Sequence, residues 1–363
     1  MTRHFLDAES QARWAAARFD AIRNIGRIAA DEQCEFVVVA GDVFESNQVD
    51  RRTVVRACDA MSEIAVPVFL LPANHDPLDA GSVFGSRHWI EHKPAQVHVL
   101  RDRNTVEIRP GIEVVGAPWT SKRPLTDLVA AAGAGLASDA ATLRVMVGHG
   151  AVDTLSPDRD NPALISLAHA EHAIAEGRYH YLALGDRHSY TQVGSTGRVY
   201  YAGTHEAYDF DEIDPGKVLI VDLSPGRVTV APRQNGRWRF AMHEAHVSTG
   251  ADLEALARHI AAIPDKDRTI LKLGLVGTLT MAHQARLDTI KGNAHDLFAA
   301  VLRSGSRSAL VVRPDSSDFA DLALAGFAAS AAHKLSERAG LAGPDGEHAA
   351  DALALLLRLA ERP

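Results

Sequence analysis

Hydrophobic positions change their period several times along the chain, and each change marks an element. From about Ala8 to Asp31 the residues Ala12, Ala15, Phe19, Ile22, Ile25 and Ala29 recur at i, i+3 and i+4, which predicts an amphipathic helix with one face for a core. Phe36-Val-Val-Val-Ala40 then has no polar position and runs into Gly41-Asp42. Such a run predicts a strand buried on both faces, as in parallel sheets covered by helices. A helical period near Asp50 to Ile64 and a second apolar run, Val66 to Leu71, complete a β-α-β unit, which calls for parallel strands and a right-handed crossover. Runs at Val97 to Leu100, Thr105 to Arg109 and Glu113 to Ala117 follow with turn residues between them and are expected to pair antiparallel. Helices are expected over Leu125 to Leu136 and Leu167 to Glu176, and strands over Leu143 to Val147 and Tyr179 to Leu184. Alternating, Gly-punctuated runs at Tyr190 to Val193, Arg198 to Ala202, Val218 to Leu223 and Arg227 to Ala231 complete two stacked sheets with helices outside.

After Gln234-Asn-Gly-Arg237 the pattern changes. Strands over Arg239 to Val247, Thr269 to Val276 and Ala309 to Arg313 are expected to alternate with helices over Asp252 to Ile263, Met281 to Ile290 and His295 to Leu302. Asp318 to Arg338 and His348 to Arg362 are Ala- and Leu-rich and helical in period. The expected division is therefore a large α/β domain over 1–235, a small α/β domain over 236–315 and a helical segment over 316–363.

The 363 residues are 46% hydrophobic and 23% charged, the composition of an ordinary globular chain. No apolar run approaches the length of a bilayer span and the first residues form no signal peptide, so a cytoplasmic protein with no membrane contact is expected. The formal charge of −8 argues against broad electrostatic binding of nucleic acid, leaving a local basic patch, a bound metal or a partner to make any such contact. Cys34 and Cys58 have neither CxxC spacing nor further partners and read as reduced thiols.

Ligands of parallel sheets collect at the carboxyl ends of the strands. Four such ends carry chemistry here: Gly41-Asp42, Asn74-His75-Asp76, Gly148-His149-Gly150 and Gly185-Asp186-Arg187-His188. Asp42, Asn74, His149, Asp186 and His188 offer oxygen and nitrogen and no thiolate, which suits a hard or borderline ion such as manganese or iron rather than a structural zinc. A pair of ions about 3.5 to 4 Å apart needs a bridging carboxylate, for which Asp42 is the best candidate. His75, next to Asn74, is placed to reach a substrate phosphate as a general acid.

In this order the four motifs resemble those of the calcineurin-like metallophosphoesterases. Ala40-Gly-Asp-Val-Phe44 and Tyr201-Ala-Gly-Thr-His-Glu-Ala-Tyr-Asp-Phe-Asp211 are most similar to the DNA repair nuclease branch, the SbcD-type subunit, and the unit after residue 236 resembles that branch's capping domain. The resemblance implies a four-layer αββα sandwich with a small α/β cap and C-terminal helices. It implies phosphodiester hydrolysis on DNA by a hydroxide held between two divalent ions, most simply Mn2+. Asp42 would bridge the ions, Asn74, His149 and Asp186 would hold one, His188 would hold the other, and His75 would give the proton. DNA and an SbcC-like SMC-type ATPase are the partners it implies, with a homodimer as a further expectation.

Two departures bear on this. The family has His where this chain has Asp186, a swap that keeps a ligand, adds charge and favours manganese. The family also opens with a strand ending in Asp-x-His, and Met1-Thr-Arg-His4 begins just after that motif. One ion is therefore expected to have an incomplete shell, the sheet to lack its first strand, and a misassigned start codon to explain both; His4 is a weak substitute ligand. Other readings of the chemistry are a phosphatase or phosphodiesterase of small molecules, or a catalytically impaired remnant that keeps its DNA or ATPase contacts.

The remaining polar clusters have plainer readings. His169 and His172 read as a solvated helix pair, His180 as a satisfied strand histidine, and Asp76 as the pin of its loop. Thr204-His205-Glu206 reads as cleft lining or as a turn, and Arg187 and Lys122-Arg123 as solvated surface. The terminal helices read as core packing or as a dock for the ATPase.

Overall fold

The computed structural model describes residues 3–139, 141–305, 307–312, 327–339, 343–346, 348–349, 352–353 and 356. Gln11–Trp238 form one compact unit, and Arg3–Ser10 group with the chain from Arg239 onward in a second. Among the described residues no helix is long and apolar enough to cross a membrane.

The first unit begins with α1 (Ala8–Asp31). It continues through β1 (Val37–Val39), α2 (Arg51–Ser62), β2 (Val68–Leu70), α3 (Arg87–His92) and β3 (Val97–Val99). Asp50 starts α2 by accepting the Thr53 N–H at 2.9 Å, the expected N-cap. The three strands form a parallel sheet in the order β1-β2-β3. The expectation that Val97 to Leu100 would pair antiparallel with its successors is therefore corrected: the apolar alternation was right, but alternation does not encode direction.

A second sheet follows, from β4 (Thr105–Arg109), β5 (Ile112–Gly116), β6 (Leu143–His149), β7 (Tyr181–Gly185), β8 (Thr191–Val193) and β9 (Val199–Tyr201), with α4 (Leu128–Gly133) and α5 (Leu167–Ala175) in its crossovers. Its order is β4-β5-β6-β7-β9-β8, parallel from β5 to β9 and antiparallel at both edges. A hairpin of β10 (Lys217–Ser224) and β11 (Arg227–Gln234) completes the unit.

Strand periodicity explains the layering, because neighbouring residues point to opposite faces. Val38, Phe69, Val145, Val147, Tyr181, Ala183 and Tyr200 share one core with the hairpin's Leu219, Val221 and Val230, so the two sheets pack face to face. Their neighbours Val37, Val39, Val68 and Leu70 pack under α2 and α3, while Met146, Leu182, Leu184, Val199 and Tyr201 pack under α4 and α5. The result is helices, sheet, sheet, helices.

The second unit comprises β12 (Arg239–His246), α6 (Gly250–Ala262), β13 (Thr269–Leu279), α7 (Met281–Leu297), β14 (Ala300–Arg303), β15 (Ala309–Val312) and α8 (Phe327–Ala339). All its strand pairs are parallel, with β13 bonding β12, β14 and β15. Leu253, Leu256 and Ile260 of α6 and Leu287, Ile290 and Ala294 of α7 cover the Leu271, Leu273 and Leu275 side of that sheet. The helix expected over His295 to Leu302 is not formed: α7 runs on to Leu297, and Ala300–Arg303 pairs with Ile270–Leu273. A run as short as Ala300-Val-Leu302 fits either period, and pairing with β13 decides it. The helical readings of residues 318–326 and of most of 348–362 lie outside the described residues.

Candidate active site

The carboxyl ends of β1, β2, β6 and β7 bring four loops together. β1 and β7 approach so closely that glycine is required at each end. A Cβ on Gly185 would collide with the Ala40 carbonyl oxygen, and one on Gly41, at φ +99°, would collide with the His149 ring. The next residue in each loop is an aspartate with left-handed backbone, Asp42 at φ +53° and Asp186 at φ +102°. Non-glycine residues hold such angles at a cost of about 1 to 3 kcal/mol, and they do so where the surroundings aim a side chain. Both carboxylates are aimed at His149.

His149 ends β6 with its side chain only 1% exposed. Its Nδ1 lies 2.8 Å from the Ala40 carbonyl oxygen. A carbonyl only accepts, so Nδ1 carries a proton, and the neutral ring has its lone pair on Nε2. Nε2 is buried with no hydrogen-bond partner, 3.4 Å from Asp42 Oδ2 and 3.8 Å from Asp186 Oδ1. Trp119 seals the ring from behind, edge-on at 6.0 Å, with its indole N–H donating to the His149 carbonyl at 3.0 Å.

The loop after β2 is fixed by Asp76, which is fully buried and accepts the N–H groups of Ala73 and Phe44 at 2.9 Å each. This is the pin expected from the sequence, and it ties the Asn74-His75 loop to the Asp42 loop. Burial lifts the Asp76 carboxyl to about 6. His75 donates its backbone N–H to Asp42 Oδ1 at 3.2 Å, and its Nδ1 lies 2.9 Å from the Glu45 carbonyl. Asn74 Oδ1 is buried and unpartnered.

His188 stands in different surroundings. Its side chain is 52% exposed, and its Nδ1 is held at 2.9 Å by Glu212, whose side chain is 2% exposed. Glu212 is braced in turn by the Tyr208 N–H at 2.7 Å. The Glu212 hydrogen bond raises the His188 pKa, while burial followed by the Asp42 charge raises that of Asp186. Sequence reasoning missed Glu212. The acidic run Asp209-Phe-Asp-Glu212 was the available signal, but it does not say which carboxylate turns inward.

Two orphaned atoms, His149 Nε2 and Asn74 Oδ1, beside two carboxylates form a nitrogen and oxygen donor set that fits a divalent cation. His149 and His188, each with Nδ1 committed to an oxygen, suit the same use, because Nε2 is left for a ligand. The cluster is open: among the described residues no group of three or more His, Cys, Asp or Glu side chains is placed to hold a metal ion. His4 is exposed and groups with the second unit. His172 meets Glu176 at 3.2 Å on the exposed face of α5, and His180 hydrogen-bonds the Arg144 N–H, so both have their plain roles. Glu206 is buried and receives the N–H groups of Ala207, Arg237 and Trp238, a structural clamp.

A cavity of about 580 Å³ follows the Leu78 to Ser86 loop and Arg101 and touches none of the candidate ligands. Another, of about 150 Å³, is lined by Asp186 and Arg187 together with Ala151, Val152, Leu155 and Tyr201.

The sequence profile of a family described as calcineurin-like phosphoesterase (Metallophos) matches residues 15–216, more than half of the chain. Among solved structures, the crystal structure of TT1561 of Thermus thermophilus is similar at 10% identity over 59% of this chain and 93% of that one, with a TM-score of 0.39. No curated protein sequence matches the chain.

Proposed function

The chain belongs to the calcineurin-like phosphoesterases, and from that premise we propose that it is a manganese-dependent phosphodiesterase acting on DNA ends, of the SbcD-like nuclease branch, with an SbcC-like ATPase as partner. Family membership makes it a hydrolase of phosphoesters that works with divalent metal. The observation that carries the proposal is the buried, unpartnered His149 Nε2 between Asp42 and Asp186. An acceptor stripped of water and left unpaired costs about 1 to 3 kcal/mol, which a cation bound there would offset.

Bound divalent ions supply Lewis-acid polarisation of the phosphoryl group and a water acidic enough to attack it at neutral pH. Asp42, Asn74, His149 and Asp186 would hold one ion, and Asp42 and His188 would hold the other. Ala40 and Glu212 engage Nδ1 of His149 and His188, so each neutral ring would present its lone pair at Nε2. His75, with Nδ1 committed to Glu45, carries its second proton on Nε2 when charged and releases it to the departing sugar oxygen. Asp186 in place of histidine makes the set richer in oxygen, which supports manganese. DNA as substrate draws on the Ala40 to Phe44 and Tyr201 to Asp211 motifs and on the second α/β unit. A catalytically impaired remnant is the second reading, favoured by the open geometry of the cluster.

The test is digestion of end-labelled linear duplex and of bis-p-nitrophenyl phosphate, with Mn2+, Mg2+ or Zn2+. Cleavage of both with Mn2+, lost from both in Asp42→Asn, is expected. Turnover of the chromogenic ester alone would point to a small-molecule phosphodiesterase, and turnover of neither to a remnant.

A further inference from the structure

Beyond β5 the chain leaves its sheet at Trp119 by exchanging one hydrogen bond for another. Ala117 donates its N–H to the Val147 carbonyl at 2.9 Å. Parallel ladders repeat every second residue, so the next bond would run from the Trp119 N–H to the His149 carbonyl. That N–H turns instead to the Pro72 carbonyl at 3.0 Å, and the Trp119 carbonyl accepts the Leu78 N–H at 2.8 Å. The indole N–H of the same residue takes the vacated place, donating to the His149 carbonyl at 3.0 Å. One residue therefore gives its main chain to the loop after β2 and its side chain to the end of β6.

Pro72 and Leu78 flank the segment that carries Asn74 and His75, so Trp119 holds that loop at both ends. Asn74 follows a strand of the first sheet, and His149 ends a strand of the second. Trp119 is thus a strut between two donors that reach the site from different sheets. Its ring stands edge-on to the His149 imidazole, with 6.0 Å between centroids and 85° between planes, a contact that limits rotation of the imidazole. Trp119 is buried, yet it is not among the side chains that fill the core between the sheets or the core under α4 and α5. Filling those cores does not account for a tryptophan here, whereas the hydrogen bonding does. Phenylalanine or leucine would pack and would leave the His149 carbonyl without this donor.

We propose that Trp119 is a positioning residue of the metal centre: its indole N–H holds His149, and its main chain holds the Asn74 loop, in the relative placement that lets both meet one divalent cation. Trp119 acts through these two donors and touches neither ion nor substrate. A metal-ligating side chain depends on the groups that fix its orientation, and losing one of them typically weakens binding about 10- to 100-fold. The proposal rests on the metal-dependent phosphoesterase reading and adds to it a residue that stands in none of the four strand-end motifs.

Isothermal titration of Mn2+ into the metal-free full chain tests this without requiring turnover. Trp119→Phe, which keeps an aromatic ring and removes the N–H, is expected to weaken binding of the first equivalent of Mn2+ about tenfold. Replacing Trp119 by benzothienylalanine, which keeps the bicyclic shape and lacks only the N–H, should give the same loss and covers the case in which the smaller ring disturbs folding. Tyr179→Phe removes a comparable buried donor, the hydroxyl 3.2 Å from the Ala170 carbonyl in the core under α5, and should leave Mn2+ affinity unchanged. Unchanged affinity in the benzothienyl protein, or an equal loss in Tyr179→Phe, would overturn the assignment. Failure of the phosphodiesterase reading is seen separately, as no hydrolysis of bis-p-nitrophenyl phosphate by a wild type whose Mn2+ affinity still depends on the indole N–H.

Discussion

Two histidines, His149 and His205, each keep Nε2 away from water with no hydrogen-bond partner, and their surroundings are opposite. His149 Nε2 faces the carboxylates of Asp42 and Asp186. The His205 ring lies by Arg18; burial, and then the Arg18 charge, push its pKa down to about 4. The local defect is the same in both, and the field around it decides its use. A lone pair between two carboxylates is a seat for a cation, whereas a lone pair beside a guanidinium repels one and leaves a neutral structural histidine.

The sharpest way to break this comparison is to remove each ring in turn. His149→Ala is expected to lower Mn2+-dependent hydrolysis of bis-p-nitrophenyl phosphate on the order of a thousandfold, the scale of several kcal/mol of charge stabilisation. His205→Ala should leave turnover within a few-fold. Comparable losses in both would mean that the carboxylates do not distinguish the two sites.

Acid sharpens it next. Because the folded pKa of His205 lies below its unfolded value of about 6.5, the unfolded chain takes up a proton first as pH falls. Its contribution to stability is full above about pH 6.5 and is lost as pH falls through about 4. Urea denaturation should show wild type losing about 2 kcal/mol more than His205→Gln between pH 7 and pH 4. Parallel pH profiles would remove His205 from the account.

A third contrast lies within the cleft. His188 is held by a carboxylate and His149 by a carbonyl, so Glu212→Gln should weaken Mn2+ binding on the His188 side about 10- to 100-fold and leave the tighter, buried site alone. Isothermal titration of Mn2+ reads this as one weakened step, and a uniform weakening would show the two sides to be a single site. The smallest effect concerns backbone: Asp186→Gly relieves the φ of +102° and the charge facing Asp42, so the metal-free protein should gain about 1 kcal/mol in thermal unfolding while hydrolysis is lost. A loss of stability would show that Asp186 is held there by favourable contacts.

Much of this was legible in the residues. Asp42, Asn74, His75, His149, Asp186 and His188 each follow an apolar run, and strand ends of parallel sheets converge, so sequence predicted their neighbourhood. Period-2 alternation likewise separated the inner from the outer face of β6, β7 and β9. What stayed hidden depends on atoms that side-chain patterns do not report. The acceptors that set the tautomers of His149 and His75 are the backbone carbonyls of Ala40 and Glu45, and any residue could stand at those positions. Glu212 lay among three carboxylates of equal promise. The direction of β3 and the strand state of Ala300–Arg303 were fixed by long-range pairing with β2 and β13, which no local period carries.

The central claim is that His149 Nε2 binds a divalent cation, and pulsed electron paramagnetic resonance of the Mn2+-loaded protein tests it most directly. At one equivalent of Mn2+ the account predicts modulation from a coordinated histidine nitrogen in the wild type and in His205→Ala, and its loss in His149→Ala. Unchanged nitrogen modulation at unchanged stoichiometry in His149→Ala, or no Mn2+ bound by the wild type at all, would contradict it.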